Sequence, residues 1–171
     1  MKKVLGIFVV ISVLVFIAPS CKITLDGAST VGLKTIYVGY FENNAPLVIS
    51  NLSQDFTEDL KTRIRSTTNL SVVQSEQADA TMTGNITGYS IAPASIQATN
   101  NNTPPIAGAS ALTITVSVKY VNNVDKKNSY DQQFSESMNF TGDIAAQQQN
   151  LITAIDKQIT EDIFNKAFAN W

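Results

Sequence analysis

One stretch of the chain constrains the fold more than any other, because apolar and polar side chains alternate through residues 112–120, "LTITVSVKY". The even positions carry Leu112, Ile114, Val116, Val118 and Tyr120, and the odd positions carry Thr113, Thr115, Ser117 and Lys119. Successive side chains of a β-strand lie on opposite sides of a sheet. The pattern therefore predicts a strand with one face in the core and the other in water.

The segment that follows predicts a partner for this strand. Residues 130–141, "YDQQFSESMNFT", carry large apolar side chains on one parity, at Tyr130, Phe134, Met138 and Phe140. The residues between the two segments, 122–129, read "NNVDKKNS" and are rich in turn-forming side chains. Two alternating strands joined by a short turn predict an antiparallel hairpin.

Two earlier segments predict further strands. Residues 34–41, "KTIYVGYF", are β-branched or aromatic on both parities, which is typical of a central strand. A strand over about 80–91 follows a short apolar step at 70–73, and its two glycines predict a bulge or a close neighbour. Residues 92–110, with three prolines and a run of asparagines, predict a long flexible connection.

The helical period occurs twice in the chain. Residues 50–66 predict the first helix, with Ser50 or Ser53 as its N-cap. The second helix is predicted over about 143–169, with Asp143 as its N-cap. The apolar stripes are formed by Leu52, Phe56, Leu60 and Ile64 in the first helix and by Ile144, Leu151, Ile155, Ile159 and Ile163 in the second.

The order of these elements predicts an α+β two-layer sandwich. A mixed sheet of about four strands is expected to carry both helices on one face, because each helix has a single apolar stripe to bury. With 171 residues the chain suits one folded domain, which we place at residues 34–171.

The first twenty residues predict a secretory leader. Lys2 and Lys3 precede an apolar run that is shorter than the roughly 20 residues needed to span a bilayer. The run ends in "APSC", which resembles the lipobox of bacterial lipoprotein signals. Residues 1–20 are therefore predicted to be a signal peptide, Cys21 the lipidated N-terminus, and residues 21–33 a tether.

Lipidation explains the one cysteine of the chain, because a thiolate is nucleophilic enough to be alkylated and several acyl chains anchor a protein stably. The alternatives are that Cys21 is an unmodified thiol or an incidental residue at a secretory cleavage site. Lys22, rather than aspartate, follows the cysteine, as in lipoproteins sorted to the outer membrane. The predicted location is the periplasmic side of that membrane.

The composition excludes several kinds of chemistry. The chain has no histidine, so no Ser-His-Asp triad and no histidine metal site can be built. Asp55, Glu58 and Asp59 lie together on the first helix and Glu161 with Asp162 on the second, where Asp156 is also predicted on the water-facing side, but nothing predicts a cleft where paired acids meet. The net charge of −2, without a basic cluster, argues against nucleic-acid binding. We expect no catalytic residue, metal or cofactor, and hence no enzyme.

Four stretches together resemble the LPS-assembly lipoprotein family, LptE, in a short and divergent form. They are "IYVGYFENNAP", "ADATMTGNITGY", "LTITVSVKY" and the closing "EDIFNKAFANW". The resemblance implies two helices on a four-stranded sheet, in a lipoprotein that plugs the large β-barrel LptD, assists its assembly and helps deliver lipopolysaccharide to the cell surface. A periplasmic regulator that activates a peptidoglycan synthase, or that serves an envelope transporter, is the alternative hypothesis.

The resemblance also directs attention to the basic residues, because members of the family contact lipopolysaccharide through basic side chains on loops. The candidates here are Lys126 and Lys127 at the predicted hairpin tip and Lys119 on the adjoining water-facing side. The alternative is that these lysines keep the turn soluble and discourage pairing at the sheet edge.

Overall fold

The computed structural model describes residues 30–47, 49–97 and 106–169 of the chain. The strands are β1 (Thr35–Val38), β2 (Glu42–Asn43), β3 (Ser71–Val73), β4 (Ala80–Gln97), β5 (Ile106–Asn122) and β6 (Tyr130–Phe140). The helices are α1 (Leu52–Thr67) and α2 (Gln148–Phe168), and a 3-10 turn spans Lys126–Asn128. The predicted signal peptide and Cys21 lie outside the described residues.

The strands form one mixed sheet in the order β3-β1-β4-β5-β6, and β2 also pairs with β4. Pairing is parallel among β1, β2, β3 and β4, whereas β4, β5 and β6 form an antiparallel meander. The predicted fold class, an α+β sandwich with two helices, is confirmed. The sheet has six strands rather than about four, because the short apolar step forms β3 and the turn after β1 contributes β2.

Strands β4 and β5 are longer than the sequence predicted. Pro93 pairs with Ser110 and Gln97 with Ile106, so most of the expected flexible connection over 92–110 is paired strand. The prediction of a loop was wrong for residues 92–97 and 106–110, because cross-strand hydrogen bonds compensate for the weak strand propensity of this polar, proline-containing segment. Residues 98–105 of the predicted loop lie outside the described residues. A register shift next to Pro93 accommodates the residue that cannot donate a hydrogen bond.

The two glycines of β4 have the roles that were predicted for them. A register shift lies between Ile86 and Gly88, which is the expected bulge. A Cβ atom on Gly84 would lie 2.1 Å from the carbonyl oxygen of Ser117 and 2.6 Å from the ring of Phe41, which are the expected close neighbours. Gly84 therefore lets β5 and the Phe41 ring approach the backbone of β4.

Both helices begin differently from the prediction. Asn51 is the N-cap of α1, with φ 71°, and neither Ser50 nor Ser53 caps the helix through its side chain. Helix α2 begins at Gln148, five residues after the predicted cap. The Asp143 carboxylate instead accepts a hydrogen bond from the backbone N–H of Ala145, which stabilises a turn before the helix.

The apolar stripes of both helices pack on the same face of the sheet and form the core. The buried side chains of β4 and β5 and of both helices include Met82, Ile86, Leu112, Ile114, Val116, Val118, Phe56, Leu60, Ile64, Ile155, Ile159 and Ile163. Thr57 is buried with them because its hydroxyl accepts from the backbone N–H of Phe41 and donates to the carbonyl of Ser53. Among the described residues, no helix has the length and apolar character needed to cross a membrane.

Candidate functional site

The face of the sheet opposite the helices, which we call the open face, carries rows of polar side chains, most of them uncharged. Each row follows the strand register: Thr83, Lys119 and Asp131; Asn85, Ser117 and Gln133; Gly88, Thr115 and Ser135; Ser90, Thr113 and Ser137. The open face therefore confirms that the odd positions of the alternating stretch lie away from the core. Helices α1 and α2 both lie on the other side of the sheet.

Hydroxyl groups on the open face pair across the strands. The Oγ1 atom of Thr115 lies 2.9 Å from Oγ of Ser135, and that of Thr113 lies 2.7 Å from Oγ of Ser137. Each hydroxyl keeps further capacity to donate or accept, because it has one donor and two acceptor positions. The open face can therefore hydrogen-bond to water or to polar groups of a partner, and it requires no fixed charge to do so.

The turn between β5 and β6 is held by short side chains rather than by its lysines. The side-chain oxygen Oδ1 of Asn122 accepts from the backbone N–H groups of Val124 and Asp125, and Oδ1 of Asp125 in turn accepts from the backbone N–H of Lys127. Lys126 and Lys127 are therefore placed at the hairpin tip, as predicted, with exposed side chains.

A pocket of about 620 Å³ opens beside this hairpin tip. Lys127 lines it together with Lys166 of α2 and with Tyr130 and Leu33. Burial raises the pKa of the Tyr130 hydroxyl, which donates to the carbonyl of Ile163, so the tyrosine stays neutral. The charged side chains at the pocket are therefore those of Lys127 and Lys166 and the carboxylate of Asp125.

The structure brings together only part of the predicted basic set. Lys119 occupies the open face, in the row with Thr83 and Asp131, whereas Lys127 lines the hairpin pocket on the helix side. Sequence reasoning missed Lys166, which lies near the end of α2, 39 positions from Lys127 along the chain. No local pattern pairs these two residues, because they meet only when α2 packs against the hairpin.

A second group of charged side chains lies in a cleft between α1 and α2. Asp55, Glu58 and Asp59 of α1 line this cleft of about 260 Å³ together with Asp156 of α2. The expectation that Asp156 faces water is wrong, since its side chain is only 1% exposed. No cleft was predicted for the acids, yet α1 and α2 pack so that Asp55, Glu58 and Asp59 meet Asp156. Glu161 and Asp162, the acid pair predicted on the second helix, do not line this cleft.

Burial is the main influence on the Asp156 carboxyl. Burial, with a smaller contribution from the neighbouring carboxylates of Asp59 and Asp55, raises the pKa of Asp156 to about 7. The pKa of Asp59 is also raised, by burial and by Asp55. Desolvation and like charge therefore keep a substantial fraction of Asp156 protonated at neutral pH.

The fold and the open polar face define a class: a two-layer α+β domain with helices on one side of its sheet. A hypothetical protein from Chlamydia trachomatis has this fold with a TM-score of 0.51 and 11% identity, covering 78% of this chain and 98% of its own. Protein XCC0632 from Xanthomonas campestris gives a TM-score of 0.52 and 10% identity over 78% of this chain and 84% of its own. At such identities the likeness concerns the fold alone.

The family follows from the sequence itself. The family model LptE, described as lipopolysaccharide-assembly, matches residues 33–167, and the chain belongs to this family. The match confirms the resemblance and covers every strand and nearly all of α2. Comparison with curated protein sequences gives no significant match. The family is one of envelope-associated lipoproteins that act in lipopolysaccharide assembly.

Proposed function

We propose that this protein is the non-enzymatic lipoprotein subunit of an outer-membrane lipopolysaccharide translocon. In this role it sits as a plug inside an LptD-like β-barrel, assists assembly of the barrel and takes part in delivering lipopolysaccharide to the cell surface. The lipid on Cys21 anchors it on the periplasmic side of the outer membrane, after removal of the leader over residues 1–20. Membership of the LptE family supports the proposal.

The open face is the structural observation that carries this proposal. The lumen of a large outer-membrane barrel is polar and holds water, so a plug needs a surface of neutral hydrogen-bonding groups. Thr113, Thr115 and Ser117 with their neighbours on β6 provide such a surface over the length of the meander. A face of this composition remains hydrated when free and exchanges water for partner groups at little cost when bound.

The tether restricts how far the partner can be from the anchor. Residues 21–33 extend at most roughly 3.3 Å each, which allows a reach of about 40 Å. A peptidoglycan synthase of the inner membrane lies beyond such a reach, whereas a barrel in the same membrane does not. The length of the tether therefore favours the translocon over the regulator hypothesis.

Affinity purification of the full-length lipoprotein from detergent-solubilised membranes tests the proposal. We expect to recover a large β-barrel protein in equal amount. Ser135→Arg on the open face should reduce this recovery, and Gln158→Arg on the exposed side of α2 should not, because only the first places a bulky charge on the proposed contact surface. Recovery of a cell-wall synthase, or of no barrel, would contradict the proposal, as would equal effects of the two substitutions.

A further inference from the structure

The acidic cleft between α1 and α2 contains a buried carboxyl oxygen without a partner. Oδ1 of Asp156 is inaccessible to water and has no hydrogen-bond partner among the described residues. The side chain lines the cleft with Asp55, Glu58 and Asp59, and Gln149 and Thr153 contribute further oxygen atoms. A buried acceptor that is left unpaired is costly, so a donor that entered the cleft would lower the free energy of this site.

The ion pairs that the protein's own cations form at this helix interface involve carboxylates other than Asp156. Arg63 lies 3.6 Å from the Glu161 carboxylate and is 3.4 Å from the carbonyl of Lys157. Lys61 pairs with Glu58 at 2.8 Å. Neither of these ion pairs, the two found in the part of the chain that the structure describes, includes Asp156. The chain therefore supplies no positive charge to this carboxyl.

The geometry points to a binding site for the guanidinium group of an arginine presented by a partner protein. A guanidinium has five donors in a planar fork, and several carboxylates can share these donors without meeting at a single point. A bare metal ion requires such convergence, and within the described residues no three acidic side chains are placed to hold one. The inference is independent of the proposed function, because the cleft lies in the helix layer and the open face lies on the other side of the sheet.

Binding of a guanidinium at this site should also depend on the protonation of Asp156. The charged groups around Asp156 are Asp55, Glu58 and Asp59 across the cleft and Arg63 and Lys157 in the neighbouring part of the interface. Because Asp156 is largely neutral until the pH exceeds its raised pKa of about 7, an arriving guanidinium must displace its proton. Binding should therefore strengthen as the pH rises from 6 to 8.

Titration of the full-length, isotope-labelled lipoprotein in detergent with N-acetyl-arginine amide tests this inference by NMR. We expect saturable shifts of the Asp156 carboxyl carbon and of the backbone amides around the cleft, with tighter binding at pH 8 than at pH 6. The neutral isostere N-acetyl-citrulline amide should give no such shifts. Asp156→Asn should weaken binding about tenfold and remove its pH dependence, because a charged hydrogen-bond partner is lost.

Asp131→Asn is the matched control, because this carboxylate lies on the open face and its neutralisation should leave the titration unchanged. If Asp156→Asn does not fold, Asp59→Asn at the more exposed side of the cleft replaces it and should also weaken binding. Equal shifts with the citrulline probe, or unchanged affinity in the cleft variants, would overturn the inference. Shifts produced by MgCl₂ and not by the arginine probe would overturn it as well, in favour of a hydrated metal ion.

Discussion

Thr113 and Ser137 face each other across β5 and β6 with their hydroxyl oxygens 2.7 Å apart on the open face. Because this pair is exposed, it is expected to contribute no more than about 1 kcal/mol to stability. Thr113→Val keeps the β-branched shape and Ser137→Ala removes the second hydroxyl. A double-mutant cycle measured by urea denaturation should give a coupling energy of roughly 0.5 kcal/mol. A coupling energy of several kcal/mol would mean that the open face serves stability rather than contact.

Gly84→Ala is expected to disrupt the centre of the sheet. The new methyl group would lie 2.1 Å from the Ser117 carbonyl oxygen, and neither strand can move without breaking the β4–β5 pairing. The predicted loss is at least ~3 kcal/mol in the free energy of unfolding, or failure to fold. Gly142→Ala is the control, since its φ of 78° is unfavourable but no atom lies within 4 Å of the new Cβ. That substitution should cost only about 1 kcal/mol. Similar losses for both would contradict the role given to Gly84.

Asp156→Asn is expected to stabilise the protein at high pH and not at low pH. The pKa of Asp156 is raised by burial to about 7 from 3.8, so ionisation of this carboxyl opposes folding. The resulting loss of stability is absent below pH 3.8, grows as the pH rises towards 7 and is complete above pH 7. The upper limit of this loss is about 4 kcal/mol in the free energy of unfolding. Urea denaturation measures the difference in the free energy of unfolding between Asp156→Asn and the wild type. This difference should shift in favour of Asp156→Asn by about 1–3 kcal/mol from pH 5 to pH 8. A constant difference would show that Asp156 does not titrate in this range.

Asp79 should have the opposite dependence on pH. Its Oδ2 atom accepts from the backbone N–H groups of Lys34 and Thr35, at 2.8 Å and 2.9 Å, and these hydrogen bonds hold the pKa of the carboxyl below its usual value. The stability that it contributes is present above pH 3.8 and is lost as the pH falls through the lower pKa of the folded state. Asp79→Ala should therefore lower the melting temperature at pH 6 and have little effect at pH 2.5. Thermal unfolding followed by circular dichroism at the two pH values measures this, and an equal effect at both would contradict it.

The lysines at the hairpin tip, of which Lys127 also lines the hairpin pocket, are expected to contact acidic lipid. Replacing Lys126 and Lys127 with Ala should weaken binding of the full-length protein to vesicles that contain lipid A by about five- to tenfold, because charge-assisted contacts to phosphate are lost. Lys166→Ala should weaken binding further, since this lysine lines the same pocket as Lys127. Lys157→Ala, an exposed lysine of α2 outside the pocket, is the control for a general loss of charge. Unchanged binding in the hairpin variants would leave these lysines as surface charge.

The local sequence pattern was sufficient to predict those helices and strands whose apolar side chains repeat with a clear period. The alternation over 112–120 predicted both β5 and the side of it that faces the core, and the stripe from Leu52 to Ile64 predicted α1. In each case one side of the element is apolar and must be buried, so the periodicity of the sequence carries the information directly. The lipobox likewise depends on adjacent residues alone, and the lipidation of Cys21 remains a prediction from the sequence.

The ends of elements and the meeting of distant side chains required the tertiary structure. Residues 92–97 and 106–110 have a composition typical of a loop, and they form strands because each provides hydrogen-bonding partners for the other. Helix α2 begins at Gln148 rather than at Asp143, where a side-chain hydrogen bond to Ala145 stabilises a turn instead.

By itself, the sequence determined the α+β sandwich, the hairpin, the polarity of the open face and the absence of histidine chemistry, because each of these depends on local periodicity or on composition. Only the tertiary structure decided that Asp156 is buried against Asp55 and Asp59, and that Lys166 joins Lys127 at one pocket. The physical reason is that these charges lie far apart along the chain and acquire their environment from the packing of α2. A polar residue within a helix carries no local signal of which neighbour will cover it.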